Sequence, residues 1–251
     1  MEREPFVSIC IPNYNHAPYL KQRIESILIQ TYQNFELIIL DDCSTDNSKD
    51  IIEQYKNHPK ISQIIYNKQN SGSTFKQWNK GVEFAKGKWI WIAESDDSSS
   101  NIFLETLISA VEKDESVVLA YCQSTKMNSL GEITGNWESW TKDFPNKFSE
   151  NFLCKGDEFI KTLLFSKNVI PNVSAVIFKK EIFNKVNKAD EDIQFCSDWL
   201  LWLKMLLWGN IFFCKESLNN FRYHPNSVIA SSQKTISLPF IKRFDIIMIK
   251  K

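Results

Sequence analysis

The chain has 251 residues, which is enough for one sizeable domain with a smaller appendage. Apolar residues make up 43% of it and charged residues 24%, which is typical of a globular protein with a hydrophobic core. Its 30 basic residues balance 30 acidic ones, so the composition gives no electrostatic reason to expect nucleic acid as a partner.

Two further classes of protein are disfavoured. No run of the sequence reaches the roughly 18 apolar residues of a membrane-spanning helix, and residues 1–5 are unlike a signal peptide. The six cysteines form no CxxC pair and have no metal-ligand spacing. We therefore expect free thiols in a reducing compartment, which places the protein in the cytoplasm.

The first half of the chain alternates strand-like and helix-like segments. Short apolar runs predict strands at 7–12, 35–40, 61–66, 89–93 and 117–122. Apolar residues at helical spacing predict helices at 16–30, at 75–85 and at 101–111. A further helix is predicted after Ser44, which is its candidate N-cap. This alternation predicts an α/β fold, in which helices sandwich a mostly parallel sheet.

After about residue 128 the alternation ends. Residues 129–150 are polar apart from a few aromatic side chains and are predicted to form a long loop. Helix-like 157–165, strand-like 173–178, helix-like 199–208, extended 211–223 and an amphipathic helix at 238–249 follow. We expect one continuous domain, divided into a larger half over 1–128 and a smaller half over 129–251.

Polar residues follow three of the predicted strands. They are Asn13-Tyr14-Asn15, Asp41-Asp42 and Ser95-Asp96-Asp97. Ligands of parallel sheets bind outside the carboxyl ends of the strands, so we expect these residues to face one crevice. Carboxylates there can accept hydrogen bonds from a base or a ribose, and an acidic pair can hold a hard divalent cation. Alternatively, each acidic pair only leads into a turn or favours the start of the next helix.

Five motifs occur in a fixed order along the first half. They are VSICIPNYN (7–15), ILIQTY (27–32), LDDCSTD (40–46), NSGSTFKQWNKG (70–81) and IAESDD (92–97). Together they resemble the opening of the family 2 glycosyltransferases, and the second half resembles that family more loosely. The resemblance implies a GT-A fold, a nucleotide-diphosphate-sugar donor (a UDP-sugar foremost), a Mn²⁺ or Mg²⁺ ion and inversion at the anomeric carbon. It makes 1–128 the nucleotide-sugar-binding half and 129–251 the acceptor-side half.

The resemblance also implies a role for each matching residue of the crevice. Pro12 and Tyr14 would line the base pocket, with Tyr14 stacking on the base. Asp42 would bind uracil or an equivalent base, and Asp96 would face the ribose. Asp97 would ligate the metal, which neutralises the charge that builds up on the departing nucleotide diphosphate.

Two positions depart from the family pattern. Many relatives have a glycine where this chain has Cys43, which concerns the turn. Many also have an arginine where this chain has Trp78, so the role of that arginine near the donor is unfilled. Lys76 could supply the positive charge, or it could be an ordinary solvated lysine of a helix.

The second half offers a candidate base and a second candidate metal ligand. CSDWLLW (196–202) resembles the family segment in which an acid opens a helix below the acceptor site, so Asp198 is the candidate base for the acceptor proton. Glu191 and Asp192 are the fallback, and Asp198 could instead only stabilise the helix dipole. RYHPNSV (222–228) resembles a recurrent C-terminal element, in which His224 could complete the metal shell, contact a phosphate or be structural.

Three tryptophans could form a platform that stacks on a sugar. They are Trp199, Trp202 and Trp208. Leucines surround them at helical spacing, so packing in the core is the favoured interpretation.

The predicted function is therefore transfer of a sugar from a nucleotide-diphosphate-sugar to a hydroxyl of a saccharide or lipid-linked saccharide. Such an acceptor would bring the protein to the inner face of a membrane, which the apolar side of 238–249 and nearby lysines could touch unless that helix packs internally. A catalytically inert nucleotide-sugar-binding scaffold or sensor is the alternative. The tryptophan at position 78, where the family resemblance implies an arginine, favours the alternative. Four carboxylates around one crevice oppose it: Asp42, Asp96, Asp97 and Asp198.

Other nucleotide-binding enzymes fit less well. A dinucleotide oxidoreductase would have G-x-G-x-x-G after the first strand. A sugar nucleotidyltransferase would have a glycine-rich phosphate loop at the same place. Residues 11–15 read IPNYN and contain no glycine, which disfavours both classes.

Overall fold

A computed structural model describes residues 7–144, 146–170, 172–193, 196–225 and 227. Its strands are β1 (Val7–Asn13), β2 (Phe35–Asp41), β3 (Ile61–Tyr66), β4 (Trp89–Ile92), β5 (Ser98–Ser99), β6 (Val117–Met127), β7 (Ile133–Asn136), β8 (Phe152–Cys154), β9 (Val176–Lys179) and β10 (Asn210–Arg222). Its α-helices are α1 (Ala17–Leu28), α2 (Ser48–Glu53), α3 (Thr74–Phe84), α4 (Phe103–Val111), α5 (Gly156–Phe159), α6 (Lys180–Lys185) and α7 (Ser197–Leu206). Short 3₁₀ turns cover Glu138–Thr141 and Val173–Ala175, and a π-helical turn covers Ile160–Leu164.

One sheet collects strands from both halves of the chain, in the order β3-β2-β1-β4-β9-β6-β10-β5. The first four of these strands pair in parallel. β9 is antiparallel to both of its neighbours, and β6 and β10 are again parallel to each other. The structure therefore confirms the predicted α/β fold with a parallel sheet over these first four strands. Beyond them the sheet is mixed, because β9 is inserted antiparallel between β4 and β6, and β5, β7 and β8 also pair antiparallel.

The two faces of the sheet carry separate hydrophobic cores, because successive side chains of a strand point to opposite faces. In β1, Ile9 and Ile11 pack on one face with the apolar sides of α1 and α4. Cys10, between them, packs on the other face with α3 and α7. This second core also contains Trp199 and Trp202, so those two tryptophans are core residues and not a sugar platform. Trp208 is exposed, with the Lys185 ammonium 3.7 Å from its ring centroid.

Two local predictions are corrected by longer-range contacts. Ser44 does not cap the second helix, which begins at Ser48. Its hydroxyl oxygen instead accepts hydrogen bonds from the backbone N–H of Asn15 at 2.9 Å and the side chain of Asn13 at 3.2 Å. The predicted loop over 129–150 contains β7, which pairs antiparallel with the far end of β6.

That hairpin has a local cause. Asn128 Oδ1 accepts hydrogen bonds from the backbone N–H groups of Leu130 and Glu132, and Gly131 supplies a positive φ of 89° between them. Asparagine and glycine are the residues that such turns prefer, so the chain reverses directly after β6.

The six cysteines are free thiols, as their spacing predicted. No helix in the described ranges is long and apolar enough to cross a bilayer. The predicted helix at 238–249 lies outside the described residues.

Candidate functional site

A crevice of about 320 Å³ opens at the carboxyl ends of β1, β2 and β4. Its lining residues are Pro12, Asn13, Tyr14, His16, Asp42, Asn70, Gly72, Ser73, Thr74, Gln77, Glu94 and Ser95. Pro12 and Tyr14, at the end of β1, thus meet Asp42, which follows β2. Tyr14 is 46% exposed, so one side of its ring is available to a ligand.

The loops after β1 and β2 are tied together by side chains. The Asn13 amide donates to Asp41 Oδ2 at 2.8 Å, and the backbone N–H of Thr45 donates to Asn15 Oδ1 at 2.7 Å. Asn15 and Cys43 have φ values of 56° and 63°, in the left-handed region. Asparagine tolerates that region and glycine adopts it freely, whereas a cysteine such as Cys43 is strained there.

Asp42 borders the crevice with a carboxylate that already accepts several hydrogen bonds. Its donors are Asn67 Nδ2 at 2.6 Å, Ser71 N at 3.0 Å, Ser71 Oγ at 2.7 Å and Gln77 Nε2 at 2.9 Å. The predicted contact between Asp42 and a base would be an addition to this network. Gln77, which sequence reasoning missed, links the start of α3 to the floor of the crevice.

Two buried acceptors of the lining lack a hydrogen-bond donor within the described part of the chain. They are Asn13 Oδ1 and Gln77 Oε1. A buried oxygen without a donor costs about 1–3 kcal/mol. A ligand with N–H or O–H groups in the crevice would remove that cost.

Glu94, also missed by sequence reasoning, lies in the crevice wall at the end of β4. Its Oε1 accepts hydrogen bonds from Trp78 Nε1 at 2.7 Å and Thr74 Oγ1 at 3.2 Å. Burial, reinforced by the charge of Asp96, raises the pKa of Glu94 to about 8. The sequence did contain a signal for Glu94 as a site residue. Glu94 directly precedes Ser95-Asp96-Asp97, the polar run that follows a predicted strand of the sheet.

Three side chains form a compact set of metal-ligand type at the edge of the crevice. The ligand atoms of His16, Asp96 and His224 lie within 4.8 Å of one another. His224 Nε2 is 2.9 Å from Asp96 Oδ2, and His16 Nδ1 is 2.8 Å from Ser95 Oγ. His16 belongs both to this cluster and to the crevice lining.

The protonation of the cluster suits metal binding. Burial lowers the pKa of the His16 imidazole, which favours the neutral, ligating form. Burial alone would raise the pKa of Asp96, but the hydrogen bond from His224 and the charges of the two histidines outweigh it and leave that pKa below its usual value. Two imidazole nitrogens and one carboxylate oxygen are therefore available to a divalent cation.

The predicted metal ligand Asp97 is not one of these three side chains. It is 1% exposed, and its Oδ1 accepts the backbone N–H of Arg222 at 2.9 Å. Its Oδ2 is 3.9 Å from the guanidinium of the fully buried Arg23. Burial and the charge of Asp96 raise the pKa of Asp97 to about 7 although Arg23 opposes them. Asp97 thus contacts Arg222 of β10 and lies beside Arg23, whereas Asp96 is the carboxylate of the group with His16 and His224.

The remaining predicted residues lie outside the crevice lining as the structure describes it. Lys76 is exposed and donates to the backbone carbonyl of Ser71 at 3.4 Å. Asp198 lies in the first turn of α7, with its Oδ2 3.5 Å from Asn168 Nδ2. The fallback acid Glu191 accepts a hydrogen bond from Asn79 at 2.8 Å.

A polar crevice at the carboxyl ends of parallel strands is the place where α/β proteins bind their ligands. Residues 8–166 match the family model described as Glycosyl transferase family 2. The chain belongs to that family and is accordingly a transferase enzyme.

Individual proteins to which the chain is similar have the same fold or are themselves glycosyltransferases. The chain is 29% identical over 238 residues to the glycosyltransferase GlyG of Streptococcus pneumoniae, covering 89% of this chain and 72% of GlyG. The structure of S. aureus TarS 1-349 in complex with UDP-GlcNAc matches with a TM-score of 0.70 at 20% identity, covering 90% of this chain and 60% of that one. The mannosyltransferase PcManGT from Pyrobaculum calidifontis, in complex with GDP-Man and Mn²⁺, matches with a TM-score of 0.67 at 15% identity, covering 93% and 61%. The chain thus spans about three fifths of each solved chain, and these likenesses confirm the GT-A fold.

Proposed function

We propose that the protein transfers a sugar from a nucleotide-diphosphate-sugar to a hydroxyl of a saccharide acceptor, with inversion at the anomeric carbon. The observation that carries this proposal is the continuity between the crevice and the cluster of His16, Asp96 and His224, which His16 joins. A nucleotide in the crevice would extend its diphosphate toward this cluster. A UDP-sugar is the first donor to test, because TarS was solved with UDP-GlcNAc.

The nucleoside would occupy the side of the crevice between the loops after β1 and β2. Tyr14 offers an exposed ring on which a base can stack. Asn13 Oδ1 and Gln77 Oε1 are buried acceptors that suit the N–H of a base or a ribose hydroxyl. Pro12 and Asp42 complete the pocket as the family resemblance implies.

The cluster fits a divalent cation. His16, Asp96 and His224 would hold the ion, and two imidazole ligands favour Mn²⁺ over Mg²⁺, which prefers oxygen ligands. Bound there, the ion would supply positive charge that stabilises the departing nucleotide diphosphate. The mannosyltransferase neighbour was solved with Mn²⁺.

Asp198 is the proposed general base. Inversion by a single displacement requires a carboxylate beside the acceptor hydroxyl, on the side opposite the leaving diphosphate. Asp198 lies on α7 in the second half of the chain, apart from the donor crevice, which suits that task. The neighbouring Asn168 amide holds its orientation at 3.5 Å.

Calorimetric titration with UDP, GDP and their sugars, with and without Mn²⁺, tests the proposal. We expect one nucleotide diphosphate to bind, and its affinity to depend on Mn²⁺. If none binds to the folded protein under either condition, the proposed donor site is wrong. An inert sensor would bind the donor but would leave it intact, whereas a transferase hydrolyses it slowly when no acceptor is present.

A further inference from the structure

Four aromatic side chains form a surface patch that the donor crevice does not use. The aromatic patch consists of Trp137, Trp140, Phe221 and Tyr223. The rings of Trp137 and Tyr223 are stacked with centroids 6.1 Å apart, and Trp140 meets Trp137 edge-on at 5.7 Å. Trp137 is buried beneath the others, while Trp140 and Tyr223 are each 40% exposed. The rings of Trp140 and Tyr223 are therefore both partly exposed to solvent.

The aromatic patch is linked to both parts of the proposed reaction centre. Tyr223 directly precedes His224 of the cluster that would stabilise the leaving diphosphate. On its other side, the indole N–H of Trp140 donates to the backbone carbonyl of Asn168 at 2.7 Å. The side-chain amide of the same Asn168 lies 3.5 Å from Asp198, the proposed base.

This position is where an acceptor must bind. The attacking hydroxyl has to approach the anomeric carbon with the base beside it, so the acceptor must lie between the base and the end of the diphosphate. The aromatic patch is connected to the diphosphate end through His224 and to the base through Asn168. We propose that Trp140 and Tyr223 bind the acceptor saccharide by stacking on its sugar rings, an inference that rests on the proposed transfer function.

The chemistry of the patch matches a sugar and not a purely apolar ligand. Sugar rings have an apolar C–H face and a polar edge, and tryptophan and tyrosine combine an apolar ring with a polar atom. Charged side chains border the rings: Lys126 Nζ lies 5.0 Å from the Trp137 centroid, and Lys167 Nζ lies 4.7 Å from that of Trp140. A few polar groups around an aromatic floor are typical of small-molecule sites.

Two backbone ties hold the patch in place. The backbone N–H of Trp137 donates to the Ser124 carbonyl in β6 at 3.0 Å, and that of Tyr223 donates to the Met127 carbonyl at 2.8 Å. Trp137 and Tyr223 are therefore fastened to the sheet, and the backbone N–H of Trp140 donates in turn to the Trp137 carbonyl at 2.8 Å. A preorganised platform of this kind loses little conformational freedom when a ligand binds.

Saturation-transfer NMR with maltotriose, cellotriose and chitotriose, in the presence of UDP and Mn²⁺, tests the site. We expect at least one trisaccharide to bind the unaltered protein. Trp140→Ala should weaken its binding about two- to tenfold, because the sugar loses an aromatic contact. Trp140→Phe, which keeps a ring, should restore most of the affinity. Trp208→Ala, at an exposed tryptophan outside the patch, is the matched control and should bind normally.

Calorimetry of UDP with Mn²⁺ on the same samples separates the two proposals. Intact UDP binding together with unchanged trisaccharide binding by Trp140→Ala would overturn the acceptor site alone. Intact UDP binding with no trisaccharide bound by the unaltered protein would overturn it as well. Absence of UDP binding in every sample would instead overturn the proposed function.

Discussion

Trp78 donates its indole N–H to Glu94 Oε1 at 2.7 Å, at the position where the family resemblance implies an arginine. An arginine there would place a permanent charge beside the acidic loop after β4. In this chain a neutral donor holds the acid, and Thr74 adds a second hydrogen bond at 3.2 Å. Trp78 is itself buried, so its side chain packs in the core while its N–H reaches the residue that borders the crevice.

Trp78→Phe tests the contribution of that hydrogen bond. The substitution keeps an aromatic ring in the core but leaves Glu94 Oε1 with Thr74 as its donor. We expect the free energy of unfolding to fall by about 1–3 kcal/mol, since a buried acceptor loses a partner. Urea denaturation measures it, and Trp208→Phe at an exposed ring serves as the control. Equal stability of the two variants would show that the indole N–H contributes nothing.

Asp96→Asn tests the revised metal site. The amide keeps the shape of the side chain but removes the anionic ligand, so we expect Mn²⁺ to lose its effect on UDP binding. Stability should change little, because the Asp96 side chain is partly exposed. Calorimetry with and without Mn²⁺ gives the result. Retention of the full Mn²⁺ effect in this variant would contradict the cluster of His16, Asp96 and His224.

Asp97→Asn should behave in the opposite way and affect folding more than metal binding. Arg23 is completely buried, and Asp97 is the carboxylate that faces its guanidinium. Removing one partner of a buried pair leaves an uncompensated charge, so we expect a loss of about 3 kcal/mol in unfolding free energy. Urea denaturation checks this, and Mn²⁺-dependent UDP binding should survive under conditions where the variant is folded. A stable variant that has lost the Mn²⁺ effect would return Asp97 to the metal site.

The contrast between Asp96 and Asp97 shows which features of the site could be predicted from the sequence and which could not. Apolar runs predicted the parallel strands, and parallel strands present their carboxyl ends at one edge, so Pro12, Tyr14 and Asp42 were expected in one crevice. The orientation of two adjacent aspartates was not predictable in this way. Asp97 is turned inward by Arg23 of α1 and by the backbone of Arg222 in β10, and local pattern does not reveal such distant contacts.

Other features that depend on contacts between distant segments could not be predicted from the sequence either. The antiparallel insertion of β9 depends on pairing with both β4 and β6, and its own apolar run does not specify direction. The sequence predicted His16 only as the first residue of a helix, and the fold is what brings it close to His224. The tryptophans of the aromatic patch lay in a segment predicted to be a loop, because the pairing of β7 with β6 was not apparent.

Cys43 offers a test of backbone strain. Its φ of 63° lies in the left-handed region, which costs a residue with a side chain roughly 1–2 kcal/mol. We expect Cys43→Gly to raise the unfolding free energy by about 0.5–1 kcal/mol after allowance for the greater freedom of glycine in the unfolded chain. Cys43→Val, with a β-branched side chain, should lower it by more than about 1 kcal/mol. Thermal unfolding compares the variants, and a valine variant as stable as the glycine variant would contradict the argument.

Asp198→Asn tests the proposed base. Asp198 lies in the first turn of α7 and not in the crevice lining, so UDP binding should stay close to normal. Transfer to an acceptor should fall about 10²–10⁴-fold, since that is the usual contribution of a positioned base. Asp157→Asn, at an exposed acid in the first turn of α5, is the matched control and should retain activity.

The result for Asp198 also separates catalysis from architecture. A carboxylate that only stabilised the helix dipole would contribute about 0.3–1 kcal/mol to folding. Its loss would then appear in urea denaturation, and transfer by the folded enzyme would be unchanged. A variant that is fully stable, binds UDP and no longer transfers places the acid at the acceptor hydroxyl. If UDP binding is lost together with transfer, Asp198 acts on the donor side, and the base must be sought at Glu191 or Asp192.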